Sequence, residues 1–404
     1  MASSRLPSSS ASSSDESAPT GTPSPEQVEE RAAALLRSRF GAAPGRPITT
    51  AFTHGAISLL SEHTHYTDGF ALLTPVQQGT AVALRRAEGS SARIAFPETA
   101  STNEDPRAYD DPEPRLDIVR QVLRAETDEA TGYEGAVITT VPPACRDGYW
   151  AALAVATARV VFQHREQQEP AAEALENRPD RWRALIEAAT GWPYSVAYPI
   201  GALHGDPSMV HLVDTKTGEH LPVESPARTA MGWGLIDTRE PPPYEASEAH
   251  DRRASADEAL DILRATEFDK LDSFRELEHR TLPRALDALP AHLRPVAQHL
   301  VTENRRVQKL VAALRRTDWQ MAGALLLMSH ASRRDNWRAT TPAADAIVAA
   351  VDEMTQRGVY GACMTSRGGA ITVVSRRAAL ATGLEACVAR VTDEFEHSSH
   401  ALVV

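Results

Sequence analysis

The pattern of hydrophobic and polar residues indicates a polar N-terminal segment, a first half of mixed helices and strands, and a second half that is largely helical. Residues 1–25 are rich in Ser, Pro, Thr and Gly and hold almost no apolar side chains. Because such a segment cannot bury enough surface to offset its ordering entropy, we expect a disordered tail. Pro25–Phe40 then predicts a helix, since Pro starts it, glutamates come first and arginines last, as the helix dipole favours.

Short apolar runs alternate with helical stretches along the rest of the chain, which predicts an α+β fold. The expected strands are Val76–Leu84, Ala92–Phe96, Gly135–Val141, Ser208–Val213, Gly234–Asp237 and Tyr360–Val374, the last with a Gly pair. The expected helices are Pro114–Ala125, Ala151–Glu166, Arg181–Ala189, Ala246–Thr266, Phe268–Arg280, Leu293–Arg316, Trp319–His330, Pro342–Gln356 and Arg376–Arg390. We expect a domain boundary within the Gly- and Pro-containing residues 207–243, which divides the chain into two domains, residues 26–215 and 216–404.

Composition narrows the classes of partner. The 404 residues carry a formal net charge of −12, so we expect neither nucleic acid nor an anionic membrane as a partner. The three cysteines are far apart in sequence, which indicates a reducing compartment and gives no metal-ligand spacing. No apolar run approaches the roughly 20 residues that span a bilayer, and the start lacks a signal-like segment. We therefore expect a cytoplasmic protein without a metal site of its own.

Polar residues crowd into one short stretch, LLSEHTHYTDGF (residues 59–70), which we call the histidine strip. It lies between two apolar segments, so a turn would present its side chains at a sheet edge. Such a turn can hold a small polar ligand, or it can be a solvated hairpin tip. The candidate binding residues are Glu62, His63, His65, Tyr66 and Asp68.

The strip and several later segments resemble the galactokinases of the GHMP kinase superfamily. Residues 55–73, GAISLLSEHTHYTDGFALL, resemble the pattern GRVNLIGEHTDYNDGFVLP. HLVTENRRVQKLVAALRRTDW, LLMSHASRRDNW, GVYGACMT and SEAHDRR resemble later family segments. The resemblance implies two α/β domains with a ligand cleft between them, and it implies that Glu62 and His63 contact a sugar.

The family's phosphoryl transfer from ATP needs a phosphate cradle, a magnesium ion and a cation. Where galactokinases have the cradle GAGLSSSASLE, this chain has PACRDGYWAA (residues 143–152). The rings of Tyr149 and Trp150 would occupy the volume that a triphosphate needs. Asp147 would add a negative charge beside it, which is unfavourable. The last glycine loop is shorter, with Arg367 intruding. The remnants of the two loops are Arg146, Gly148, Tyr149, Trp150, Gly368 and Gly369.

The family's other catalytic positions also differ. Ala56 falls where galactokinases have the Arg of APGR, although Arg46 completes an APGR ten residues earlier and would lie near the site if residues 47–56 were an insertion. Tyr198 falls where they have the Asp of GIMDQ, and we leave open whether Asp206 replaces it. The family's metal-binding Glu falls at Ile186 or its neighbour Glu187.

Three hypotheses remain open. The preferred one is a sugar-binding sensor or regulatory pseudokinase without ordinary kinase activity, with a possible protein partner. The alternative is an active sugar kinase that uses ATP and Mg²⁺ with relocated catalytic residues such as Arg46 and Asp206, and Tyr198 stays a catalytic candidate at the place of the family's Asp. The third is a repurposed enzyme. Its acid, base or nucleophile would come from Glu62, His65, Cys145, Tyr198, His204 and Asp206.

Overall fold

The computed structural model describes residues 22–61, 63–97, 112–127, 131–166, 179–224, 230–365, 367–395 and 400–403. Glu62 and nearly all of the predicted tail lie outside them. The helices are α1 (Pro25–Phe40), α2 (Pro112–Glu126), α3 (Asp147–Glu166), α4 (Pro179–Thr190), α5 (Ala197–His204), α6 (Ala246–Arg264), α7 (Leu282–Ala288), α8 (Arg294–Arg315), α9 (Trp319–Ser332), α10 (Pro342–Glu353) and α11 (Arg377–Phe395). The strands are β1 (Thr49–Leu60), β2 (Phe70–Ala87), β3 (Ala92–Ala95), β4 (Gly132–Thr139), β5 (Met209–Asp214), β6 (His220–Glu224), β7 (Met231–Asp237), β8 (Val359–Thr365), β9 (Ala370–Arg376) and β10 (His400–Val403).

The first sheet has the order β3-β4-β2-β5-β6, and β1 pairs with β2 in antiparallel fashion. Alternation along β2 separates its two faces. Ala81 and Ala83 pack against Leu36 of α1, whereas Val82 and Leu84 pack in the core that α2, α3, α4 and α5 share. Helices therefore cover both faces of this sheet.

The second sheet has the order β10-β7-β9-β8. It meets the first sheet at the end of β1, where the hydroxyls of Thr365 and Thr372 both donate to the Ser58 carbonyl oxygen, at 2.9 and 3.2 Å. A single core cluster joins residues of both sheets with α8 and α9. The turn after β1 is thus held beside the second sheet, and this contact positions the site.

The predicted helix Phe268–Arg280 is wrong. Only two single turns of 3-10 helix form there, at Phe274–Glu276 and His279–Thr281. The guanidinium of Arg264 donates to the carbonyl oxygens of Leu271 and Asp272, which a helix would need for its own hydrogen bonds. Tertiary hydrogen bonds therefore override the local helical pattern. The other predicted helices appear within about five residues of their expected ends, and so do most of the strands. Two strand predictions need correction: β2 begins at Phe70 and not at Val76, and residues 360–374 form the two strands β8 and β9 joined by a turn.

Candidate functional site

The histidine strip is the turn between β1, which ends at Leu60, and β2, which begins at Phe70. His63 and Asp68 both adopt positive φ values, 67° and 58°, a conformation that is uncommon for residues other than Gly. Asn304 of α8 fixes the end of the turn, because its side-chain oxygen accepts from the Phe70 N–H at 2.8 Å. The turn is therefore rigidly held and is not a solvated hairpin tip.

His63 is buried in the turn, with 2% of its surface exposed. Its ring stacks on Trp337 with a centroid distance of 4.4 Å, and its Nδ1 lies 2.6 Å from the Tyr66 hydroxyl. Burial, and then the nearby Arg333, lower the pKa of His63 well below its ordinary value. The ring is therefore neutral at pH 7. Among the described residues, its buried Nε2 has no hydrogen-bond partner.

His65 lies on the same turn and is also buried. Its Nδ1 is 2.8 Å from the Ser61 carbonyl oxygen, and since a carbonyl only accepts, we assign the proton to Nδ1. Burial, partly offset by Asp147, lowers the pKa of His65 to about 4. The neutral ring then keeps an acceptor lone pair on Nε2.

A small pocket lies against the strip. It is lined by His63, His65, Tyr66, Asp147, Trp192, Pro193, Tyr244, Ala249 and Arg367, and its volume is about 20 Å³. This volume admits a single water molecule and no sugar. The pocket is therefore closed, and a ligand of several heavy atoms enters only when the lining side chains or the two sheets move apart.

The strip supplies three of its candidate residues to this pocket, His63, His65 and Tyr66. Asp68 is exposed and does not line it. Glu62 lies outside the described residues. The strip thus contributes imidazole and phenol groups to the site.

Gly148 faces the backbone of β1 and not an open space that could hold a ligand. A Cβ at this position would lie 1.7 Å from the backbone oxygen of Ala56, so Gly148 is the residue that lets the start of α3 pack onto β1. Gly201 of α5 faces the side chain of the same alanine, since a Cβ on Gly201 would lie 3.2 Å from the Ala56 Cβ. Ala56 itself is fully buried. Position 56 is thus enclosed by two glycines.

The turn between β8 and β9 places Arg367 at the start of α3. Its Nη2 lies 2.5 Å from Oδ1 of Asp147, and both side chains are almost fully buried. The guanidinium stacks on the rings of Trp150 and Trp192, with its Cζ 4.8 and 4.7 Å from their centroids. We call these four residues the arginine plug. They fill the space at the start of α3, which the resemblance aligns with the family's phosphate cradle.

The other remnants of the two loops also pack internally. Tyr149 is 7% exposed and belongs to the core that joins the sheets. Nη2 of Arg146 points to the Glu240 carbonyl oxygen at 3.4 Å. Gly368 and Gly369 have positive φ values and form the tight turn beside Arg367.

Several proposed catalytic residues lie outside the pocket lining. Arg46 forms an ion pair with Glu88 at 2.6 Å, at the opposite end of β2 from the strip. Asp206 accepts from the backbone and hydroxyl of Ser208, and His204 stacks on His220. The structure does not bring these residues to the pocket.

Tyr198 and Cys145 are buried. Tyr198 is 1% exposed, and its ring centroid lies 5.9 Å from that of His65. Burial raises the pKa of the Cys145 thiol, which suppresses thiolate chemistry.

The described residues contain no group of three or more His, Cys, Asp or Glu side chains arranged to hold a metal ion. Glu187, one of the two family-derived metal positions, pairs with Arg183 at 2.9 Å, and Ile186 is fully buried. Within the same part of the chain, no helix is long and apolar enough to cross a bilayer.

Four residues of the site were missing from the sequence prediction: Trp192, Tyr244, Trp337 and Asn304. Their partners lie far away in sequence, although Asn304 and Trp337 belong to segments that resemble the family. The usable signal was aromatic residues next to prolines, as in Trp192-Pro193 and Pro243-Tyr244.

Comparisons with known proteins agree with this architecture. A model described as the galactokinase galactose-binding signature matches residues 34–86, which include the strip. The galactokinase of Streptomyces coelicolor is 27% identical over 360 residues, covering 84% of this chain and 87% of that protein. The human galactokinase is 26% identical over 365 residues, covering 86% and 87%.

Solved structures show the same fold. The structure of Lactococcus lactis galactokinase complexed with galactose matches with a TM-score of 0.77 and 19% identity, covering 92% of this chain and 96% of that one. Mevalonate kinase of L. major in complex with R-mevalonate matches with a TM-score of 0.56, 12% identity and coverage of 87% and 93%. The α+β fold is thus the fold of the GHMP kinases, and the chain is similar to galactokinases over most of its length.

Proposed function

We propose that this protein is galactokinase-like and binds a sugar or a related small polar metabolite in the pocket beside the histidine strip. The observation that carries this proposal is the arrangement of His63, His65 and Tyr66 on a rigid turn, opposite the aromatic rings of Trp192 and Tyr244. Imidazole and phenol groups can exchange hydrogen bonds with hydroxyls, and aromatic rings cover the apolar face of a sugar. The match of the galactose-binding signature to residues 34–86 supports the same ligand class.

The comparisons favour the alternative hypothesis, phosphorylation of a sugar by ATP, over the pseudokinase hypothesis. The curated relatives that align with most of this chain are named galactokinases. If the protein is a kinase, ATP and Mg²⁺ are its cofactors. The relocated residues proposed for it give it no support, since Arg46 pairs with Glu88 and Asp206 with Ser208.

A local observation favours the second candidate, a sensor or regulatory protein without phosphotransfer. The residues present do not fit a triphosphate, because the arginine plug fills the cradle region and Gly148 packs against a backbone oxygen. Asp147 also puts a carboxylate at the N-terminus of α3, where phosphate groups would be expected to bind. We therefore derive no catalytic step through ATP.

Two measurements on the full chain separate these candidates. Isothermal titration calorimetry with galactose, other monosaccharides and ATP–Mg²⁺ tests binding, and a coupled ADP-release assay with each sugar tests turnover. The S. coelicolor galactokinase serves as a positive control. Sugar binding without ATP binding or ADP release supports the sensor, whereas sugar-dependent ADP release establishes the kinase. The absence of any sugar binding refutes the proposed function.

A further inference from the structure

Arg367 and Asp147 line the same pocket as the strip residues, although neither belongs to the strip. Nη2 of Arg367 faces Asp147 and, at 3.4 Å, the Pro193 carbonyl oxygen. Nη1 of this arginine is buried and has no hydrogen-bond partner among the described residues. A buried donor without a partner costs free energy, so a ligand oxygen placed beside Nη1 would recover it.

The charges of the pocket balance. Among the described lining residues, Arg367 is the cation and Asp147 the anion, while both histidines are neutral at pH 7. Beyond the lining, Arg252 pairs with Glu248 at 2.9 Å. Arg333, behind His63, donates to the carbonyl oxygens of Ala339 and Met364, away from the lining.

We propose that Arg367 and Asp147 are specificity-determining residues that select an uncharged sugar over sugar acids and sugar phosphates. Nη1 of Arg367 donates to a ring or hydroxyl oxygen, and the carboxylate of Asp147 accepts from a neighbouring hydroxyl. This inference rests on the proposed function, since it assumes that the pocket takes a sugar.

The physical reason is the cost of a third charge. A carboxylate or phosphate brought into this buried pair would find the arginine already neutralised by Asp147, so no partner would repay its desolvation. The stacking of Trp150 and Trp192 on the guanidinium fixes its orientation, so it cannot turn away from Asp147 toward the new anion. A neutral polyol exchanges hydrogen bonds with both groups without disturbing the pair.

The test compares the dissociation constants of galactose, galacturonate and galactose 1-phosphate by isothermal titration calorimetry. For the wild type we expect galactose to bind at least tenfold more tightly than either anion. Asp147→Asn leaves Arg367 with a free charge, so it should improve galacturonate binding relative to galactose by about tenfold. Arg367→Gln should weaken galactose binding about tenfold and leave both anions undetectable.

The buried pair Arg85–Glu134 provides matched controls, since its side chains are 2% and 8% exposed and it lies in the first sheet, outside the pocket lining. Glu134→Gln or Arg85→Gln likewise removes one charge from a buried pair, and neither should change the galacturonate-to-galactose ratio. If Arg367→Gln does not fold, Arg367→Lys keeps the charge but loses the planar donor pair, and it should weaken galactose binding without admitting anions.

Two failures are distinguishable. If no sugar binds to the wild type, the proposed function itself is wrong. If galactose binds but Asp147→Asn leaves the ratio within twofold of the wild type, the sugar site stands and the specificity role of the pair is refuted. Tighter wild-type binding of galacturonate than of galactose would also overturn the inference.

Discussion

Replacing Gly148 with Ala tests whether this glycine is a packing residue or the remnant of a phosphate loop. The new Cβ would lie 1.7 Å from the Ala56 backbone oxygen and 2.8 Å from the adjoining carbonyl carbon. Both atoms belong to the middle of β1, where Ala56 pairs with Pro75 of β2 just after a register shift. The clash therefore cannot be relieved by rotating a side chain.

The expected cost follows from this geometry. Ordinary contact needs about 3.4 Å, so the start of α3 must move by more than 1 Å from β1. Overpacking of this kind costs about 3 kcal/mol, the upper part of its usual range. At about 2–4 °C per kcal/mol, the melting temperature should fall by about 6–12 °C.

Gly201→Ala is the matched control, because Gly201 also faces Ala56 but its Cβ would meet side-chain atoms alone, the Ala56 Cβ at 3.2 Å and Leu73 at ordinary contact distance from 3.9 Å. The gain of up to about 1 kcal/mol in helix propensity should offset that contact, so we expect little change. Melting followed by circular dichroism, with urea unfolding, measures both variants. A Gly148→Ala protein that melts within 2 °C of the wild type would refute the packing role and leave the loop open for a ligand.

Three further predictions concern stability and reactivity. The pKa of His65 in the folded state is about 4, below its ordinary value of 6.5. The stability that goes with the neutral ring is therefore complete above pH 6.5 and falls on acidification, by about 2–3 kcal/mol at pH 4.5. Urea midpoints should show this loss, and His65→Gln should reduce the dependence of stability on pH, whereas an unchanged dependence contradicts the prediction. Asn304→Ala should lower the free energy of unfolding by about 1–3 kcal/mol, because it leaves the Phe70 N–H without its partner. Sugar titrations should also show weaker binding. Unchanged stability and affinity would refute the role of Asn304 in holding the strip. The three cysteines are free and buried, so a thiol reagent should label them only after unfolding, and rapid labelling of the native protein would contradict the structure.

The sequence predicted most helices and the central strip because these depend on local patterns. Helix α1 shows this well, since its proline start and its Ser24 capping box act within four residues. The strip was recognisable because its polar side chains interrupt two apolar runs. The fold followed from a resemblance that extends over most of the chain.

The arginine plug could not be predicted as a unit. Asp147 and Arg367 were each noted as misfits in a phosphate loop, yet 220 positions separate them and only the tertiary fold pairs them. The helix predicted at 268–280 failed for a related reason, because Arg264 takes up two of its carbonyl oxygens. The proposed placement of Arg46 assumed an insertion, whereas residues 49–60 form the continuous strand β1, with two register shifts against β2.

The enclosure of Ala56 makes this position unsuited to a large side chain. A Cβ on Gly201 would lie 3.2 Å from the Ala56 Cβ, and a Cβ on Gly148 would lie 1.7 Å from the Ala56 backbone oxygen. A single Ala56→Arg change would therefore meet closed packing before it could reach any ligand. Placing a cation there requires α5 and the start of α3 to move away from β1 together, so engineering an arginine at position 56 must change several segments at once.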